Sequence, residues 1–164
     1  MQFLKYNDGY YTSKWLSKFI SKMSIKGKKY IIEKILYYSF FLIKKKLKFY
    51  PLFIYFEVLE KIKISVGLKL NKSKWKNSKN TAVKAFPYLL NISAQYKKSI
   101  LWLTQAIKLR LEKNLSLKIY NEFYDILFNF SGNTLKKKKI IISTLFYLRQ
   151  LKNLNDRYFT TKFI

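Results

Sequence analysis

Along most of this chain, apolar residues recur at the spacing of helix faces. Trp15, Leu16, Phe19, Ile20 and Met23 fall at i, i+1, i+4, i+5 and i+8, and Ser13 stands where an N-cap would. Between them, Lys14, Lys18 and Lys22 form a separate stripe of one lysine per turn. Gly27 breaks the pattern and suits a helix C-terminus. A second helical face runs through Ile31, Ile32, Ile35, Leu36, Ser39, Leu42 and Ile43 and ends in Lys44, Lys45 and Lys46. Pro51 fits the first turn of a third helix, with Leu52, Tyr55, Phe56, Leu59 and Ile62 as its buried stripe. Glu57 and Lys61 pair at i, i+4 on the other side.

The period then changes. Val66, Leu68 and Leu70 alternate with Gly67 and Lys69, and Lys72, Lys74, Lys76 and Lys79 surround Trp75. Thr81–Leu90 returns with an extended apolar bias, and Pro87 argues against helix there. Residues 64–90 therefore predict a β-hairpin arm with a long basic tip. A fourth helix is predicted from about Ser93 to Arg110, with Ile92, Tyr96, Ile100, Leu103 and Ile107 inward. Asn114 is placed to cap a fifth, whose stripe is Leu115, Ile119, Phe123, Ile126, Leu127 and Phe130. Gly132 marks a turn over residues 131–134. A sixth helix starts near Leu135 with Lys136, Lys137, Lys138 and Lys139, then Ile142, Leu145, Phe146 and Leu148. Residues 1–12 read as an N-terminal extension and 153–164 as a tail that orders on binding. No repeat and no linker divides the chain. The expected fold class is mainly α: a single domain, 1–164, of about six helices with one protruding β-hairpin between helices three and four.

Charge changes the picture most. The chain carries 34 Lys+Arg against 8 Asp+Glu, a net +26 over 164 residues. Hydrophobic residues at 49% and aromatics at 19% exclude a disordered basic tail, so the chain is both folded and strongly basic. Such self-repulsion implies a polyanionic partner, either nucleic acid or an anionic membrane. The apolar runs 35–43 and 140–148 are about half of the roughly 20 residues a spanning helix needs. Cysteine and histidine are absent, which excludes disulfides and thiolate metal sites and removes the commonest general base. Met1–Tyr11 holds one lysine and Asp8, unlike an Arg-rich transit peptide, so the chain is expected to be made where it works. Its wealth of Lys, Ile, Phe, Tyr and Asn is the palette of AT-rich codons, as in an organellar genome.

Catalysis has little to stand on. Glu57/Glu60 and Glu122/Asp125 are carboxylate pairs at i, i+3 that could hold Mg²⁺ for phosphodiester chemistry. The plainer reading is a set of partners for the many lysines. No nucleotide-binding glycine loop and no nucleophile beside a base is present, so neither enzyme activity, cofactor nor metal is expected. The lysine clusters carry more. Lys26, Lys28 and Lys29 flank Gly27 in the first interhelical turn. Lys136–Lys139 crowd a helix N-terminus, where cations oppose the dipole unless a phosphate binds both them and the free N–H groups. Trp75 either stacks on a base or packs against protein. Trp15 and Trp102, on helix patterns, read as core or interface.

The segment Phe19–Lys29, FISKMSIKGKK, continuing through Glu33 and Ile35 to Tyr37, resembles the signature of the seventh small-subunit ribosomal protein family. That family reads F-I-N, a D-G-K-K turn and a helix with A-E-R/K-I-V-Y. Pro51, Leu52, Leu59 and Glu60 are similar to its P-L-E-V-F-E-K-A-L-E. Trp102, Leu103, Ala106, Arg110, Glu112 and Lys113 follow R-W-L-V-D-A-A-R-K-R-S-E-K, and Glu122 and Asp125 follow E-L-L-D-A. Thr134–Lys139 is similar to G-A-V-K-K-R, and Asp8 and Tyr11 to D-P-x-Y. Among the departures, Lys26 replaces the turn's aspartate, the hairpin tip lacks a Gly-Gly, and Tyr120, Phe128 and Phe130 replace small residues.

The resemblance implies a structural constituent of the small ribosomal subunit that binds the 3′ major domain of its RNA and nucleates head assembly. It places the hairpin and last helix near exit-site tRNA and mRNA, with the ninth and eleventh small-subunit protein families as neighbours. The residues expected on ribosomal RNA are Tyr11, Lys14, Lys18, Lys22, Lys26, Gly27, Lys28, Lys29, Lys69, Lys72, Lys108, Arg110, Lys113, Lys136, Lys137, Lys138 and Lys139. Those expected near tRNA or mRNA are Lys74, Trp75, Lys76, Lys79, Arg149 and Arg157. Joined to the codon palette, it suggests a mitochondrion-encoded protein of the matrix, with a plastid copy the lesser alternative. Two competing readings are a peripheral membrane protein with basic amphipathic helices and an organellar nuclease or maturase fragment.

Overall fold

A computed structural model describes residues 11, 13–24, 26–73 and 82–160. The elements run α1 (Lys14–Met23), α2 (Lys29–Leu47), α3 (Pro51–Ile62), β1 (Val66–Ser73), β2 (Ala82–Leu89), α4 (Ile92–Leu109), α5 (Leu115–Tyr124) and α6 (Asn133–Thr160), with a π-helical turn over Asp125–Asn129 after α5. The predicted class, mainly α with a hairpin between helices three and four, is the observed one. Local chemistry sets the ends. The Ser13 hydroxyl accepts from the Leu16 N–H at 3.5 Å, and the Asn91 side chain from the Ala94 N–H at 2.8 Å. Pro51 opens α3, and Lys44, Lys45 and Lys46 sit in the last turn of α2, where the dipole favours cations.

One apolar cluster joins the helices. Leu16, Phe19 and Ile20 of α1 meet Leu36, Phe40 and Ile43 of α2, Tyr55, Leu59 and Ile62 of α3, Leu103 and Ile107 of α4, and Ile119 and Phe123 of α5. Tyr55 is wholly buried, which raises its phenol, and its hydroxyl is satisfied by the Trp15 carbonyl at 3.0 Å. The hairpin pairs antiparallel from Val66 opposite Leu89 to Ser73 opposite Ala82. Pro87 is tolerated because both strands are edges. Gly67 lies beneath the Tyr88 ring, where an added Cβ would meet ring carbons at 2.8 Å.

Several expected core positions face water. The inward face of α2 follows Leu36, Phe40 and Ile43, which turns Ile31 outward. Ile92 starts α4 beyond the core, and Phe146 is exposed on α6. Phe130, read as inward, is exposed because it stands after the π-turn as a C-cap in the left-handed region, at φ 49°, off the helix face. Asn114 precedes α5 without a side-chain cap bond. The tail does not stand apart: residues 153–160 continue α6.

One polar network adjoins this core, buried at Glu122 and half-buried at Arg110, Glu112 and Asp125. Just beyond α4, the Arg110 guanidinium donates to Glu112 at 2.9 Å, Glu122 at 2.6 Å and Asp125 at 2.7 Å. The Glu122 side chain is fully buried. Its other oxygen accepts from the Thr134 hydroxyl at 2.6 Å and the Thr134 N–H at 3.2 Å. Gly132 leaves room for that carboxylate, since a Cβ there would lie 3.0 Å from it. The end of α4, α5, the π-turn and the start of α6 are thus tied at one point. Burial alone would lower the Arg110 basicity, but its hydrogen bonds to Asp125, Glu112 and Glu122 raise it above its ordinary value. Burial would raise the Glu112 carboxyl, yet bonds from Asn121 and Arg110 pull it down to about 2.

Removing one partner of a buried ion pair strands the other. Glu122→Gln and Arg110→Met should each cost about 3–5 kcal/mol in denaturant unfolding. The double variant should cost less than their sum by more than about 1 kcal/mol. Because the Glu112 carboxyl is depressed, its contribution is present above the ordinary carboxylate range and fades as pH falls toward about 2. Unfolding of Glu112→Gln should therefore be less sensitive to acid than that of the parent.

Candidate nucleic-acid interface

With Leu16, Phe19, Ile20 and Met23 committed to the core, Lys14, Lys18 and Lys22 are left on the outer side of α1. Beside them the Trp15 ring stacks on Tyr96 of α4, with centroids 4.9 Å apart and planes at 27°. The Lys18 ammonium lies 4.6 Å and the Lys14 ammonium 5.7 Å from the Trp15 ring centre. Lys18 titrates below its ordinary value through desolvation, then through repulsion from Lys97 and Lys14. Cations from α1 and α4 therefore converge on one aromatic pair. Lys97 and its neighbour Lys98, which lies 5.2 Å over Trp102, are not among the residues expected on RNA. Their signal was a basic doublet directly after the inward Tyr96.

The α1–α2 turn is built for close approach. Lys26 and Gly27 are both left-handed, at φ 52° and 75°, and the Lys29 N–H bonds the Gly27 carbonyl at 2.7 Å. Lys26, Gly27 and Lys28 are exposed, and Lys29 is half-buried. The first turn of α2 holds no acid, and its N-cap Lys28 makes no side-chain cap bond. Lysines and a helix N-terminus meet here, as an anion requires.

The start of α6 corrects the expectation of free N–H groups there. The helix begins at Asn133; the Thr134 N–H is taken by Glu122, and the Leu135 and Lys136 N–H groups bond the Gly132 carbonyl at 2.9 and 3.1 Å. Glu122 already fills the role an anion would play. Lys138 donates to the Lys61 carbonyl at 2.7 Å, with its ammonium lowered by burial, and Lys137 donates to Gln105 at 3.0 Å. Lys136 and Lys139 remain exposed.

The other candidates scatter. Arg110 is engaged by three carboxylates, and the Glu122/Asp125 pair is thereby turned onto a guanidinium. Glu57 pairs with Lys61, and Glu60 with Lys63 and the Tyr96 hydroxyl. Lys108 and Lys113 are exposed near the end of α4, and Arg149 on α6. Tyr11 sits edge-on to Tyr37, Phe40 and Tyr50, at 5.9, 5.7 and 6.1 Å, in an aromatic cluster. Trp102 is buried. Lys69 and Lys72 are placed on β1 and Arg157 on α6 by backbone alone, and Lys74, Trp75, Lys76 and Lys79 lie outside the described residues.

A family model described as "Ribosomal protein S7p/S5e" matches residues 2–142. The small ribosomal subunit protein uS7 of Wigglesworthia glossinidia brevipalpis is 31% identical over 132 residues, 80% of each chain. That of Pelagibacter ubique is 29% identical over 136 residues, again 80% of each. That of Mycoplasma capricolum is 28% identical over 131 residues, 80% of this chain and 81% of its own.

A lysine at a left-handed backbone position is strained by about 1–2 kcal/mol. Lys26→Gly should therefore raise the free chain's stability by about 1 kcal/mol. The same substitution should weaken binding to RNA, measured by filter retention. Loss of stability instead would show that the Lys26 side chain is structural.

Proposed function

We propose, for a chain that belongs to the ribosomal protein S7p/S5e family, that its lysine faces bind small-subunit ribosomal RNA. Membership makes it a structural protein of the small ribosomal subunit and not an enzyme. The finer reading is that residues 1–164 act as one RNA-binding domain on the 3′ major domain and nucleate head assembly. In it, the hairpin arm and α6 lie near exit-site tRNA and mRNA, and the ninth and eleventh small-subunit protein families are neighbours. The codon palette supports a mitochondrial matrix location.

One observation carries the RNA reading: Lys14 and Lys18 lie over the Trp15 ring that stacks on Tyr96, and the Lys18 ammonium is lowered by desolvation and then by repulsion from Lys97 and Lys14. Cations that repel one another in the free chain are relieved when a phosphate enters between them. The left-handed Lys26–Gly27 turn supplies a second seat, and Lys136 and Lys139 a third. A membrane reading has less support, because α1 places aromatic and lysine side chains in contact, the arrangement that suits bases and phosphates. Among the described residues no helix is long and apolar enough to cross a membrane.

Binding to a 3′-domain RNA fragment should fall steeply with salt, with a log–log slope of about −5 or steeper if six or more phosphates are neutralised. A nearly flat response would remove the RNA reading.

A further inference from the structure

Apart from Tyr11, which packs edge-on to Tyr50, the α2–α3 corner carries a surface that the RNA reading does not use. Phe41, Phe49, Tyr50 and Phe53 are each 59–61% exposed. At roughly 200 Å² per aromatic side chain, they leave about 480 Å² of ring surface in water. That is in the range of the largest patch on a typical monomer, and about half of one side of a standard protein interface. Phe128, exposed in the π-turn, extends it, with Phe130 at its margin. The rings frame two clefts. One, of about 240 Å³, has Phe40, Phe41, Lys44 and Pro51 in its wall. The other, of about 270 Å³, has Phe49, Phe53, Ile54 and Leu127.

We infer that this corner docks a second protein of the small subunit, one that presents bulky apolar side chains flanked by carboxylates. The charge pattern selects that partner. Lys44, in the wall of the first cleft, and Lys45 and Lys48 are exposed where α2 ends, and Glu57, the acid in the lining of the second, is paired with Lys61. The partner's flank is therefore acidic. Among the described residues no ammonium is seated over the Phe41, Phe49, Tyr50 or Phe53 ring, and Lys61 lies 4.8 Å over Phe130 at the margin, so charge lies at the rim and the centre is apolar, as in protein interfaces. On α1, by contrast, lysines lie over the Trp15 ring, the interleaving that suits nucleic acid. A second copy of this chain is disfavoured, since a symmetric contact would set one lysine rim against another.

The inference rests on the chain's place in the small subunit, and its test keeps the two apart. The photo-crosslinker p-benzoylphenylalanine is placed in the full chain at residue 53 or, separately, at residue 26, and purified salt-washed small subunits are irradiated. The residue-53 adduct is expected to be protease-sensitive and nuclease-resistant, and its partner peptide to be apolar with adjacent carboxylates. Phe49→Ser combined with Phe53→Ser should lower that neighbour's occupancy in the subunits at least tenfold. A nuclease-sensitive adduct at residue 53, an adduct of twice the chain's mass, or no adduct would overturn the docking surface. The residue-26 adduct is expected to be nuclease-sensitive; its absence beside a protein adduct at residue 53 would count against the RNA reading and leave the docking surface standing.

Discussion

Arg110 is the side chain on which the helical arrangement turns. Its guanidinium collects Glu112, Glu122 and Asp125, three of the eight acids in the chain. Glu122 then reaches on to Thr134 and fixes the first turn of α6. A buried ion pair adds little stability over a well-packed apolar substitute, but it penalises every packing in which one partner is stranded. Here it sets the relative placement of α4, α5 and α6, and Gly132 is the small residue that lets the carboxylate in.

The network also decides where charge is left over. Glu33 accepts from Tyr37, Glu57 pairs with Lys61, and Glu60 pairs with Lys63 and Tyr96. Each acid with a described side chain is thus held by a partner within the fold. The chain's 34 Lys and Arg far outnumber its 8 acids, so most of its cations have no acid to neutralise them. That surplus suits a chain whose working state is inside a ribonucleoprotein particle. The surface divides accordingly: lysines interleaved with aromatics on α1 and α4, and an apolar centre with a lysine rim at the α2–α3 corner.

The hairpin was legible because a period of two cannot be mistaken for a helix face, and the caps at Ser13 and Asn91 follow from short-range chemistry. The Arg110 network was illegible because its partners lie two to fifteen residues apart and act through the third dimension. Without it, nothing in the sequence shows that Phe130 leaves the helix face at a π-turn, or that Glu122 occupies the N-terminus of α6 in place of a phosphate. Lys138 read as a surface cation for the same reason: the Lys61 carbonyl that accepts from it is 77 positions away. Lys97 needed the packing of α4 on α1 to acquire neighbours, whereas the Lys26–Gly27–Lys28 cluster was legible because it is contiguous.

Among the described residues the fold holds its acids in internal partnerships and leaves most of its cations unneutralised. The most direct test is the melting temperature of the free, RNA-free chain as monovalent salt rises. Screening relieves repulsion among exposed lysines and touches the buried Arg110 network little, so the melting temperature should climb from low to moderate salt. A melting temperature that falls over the same range would mean that attraction between exposed charges dominates the free fold, and would contradict the account.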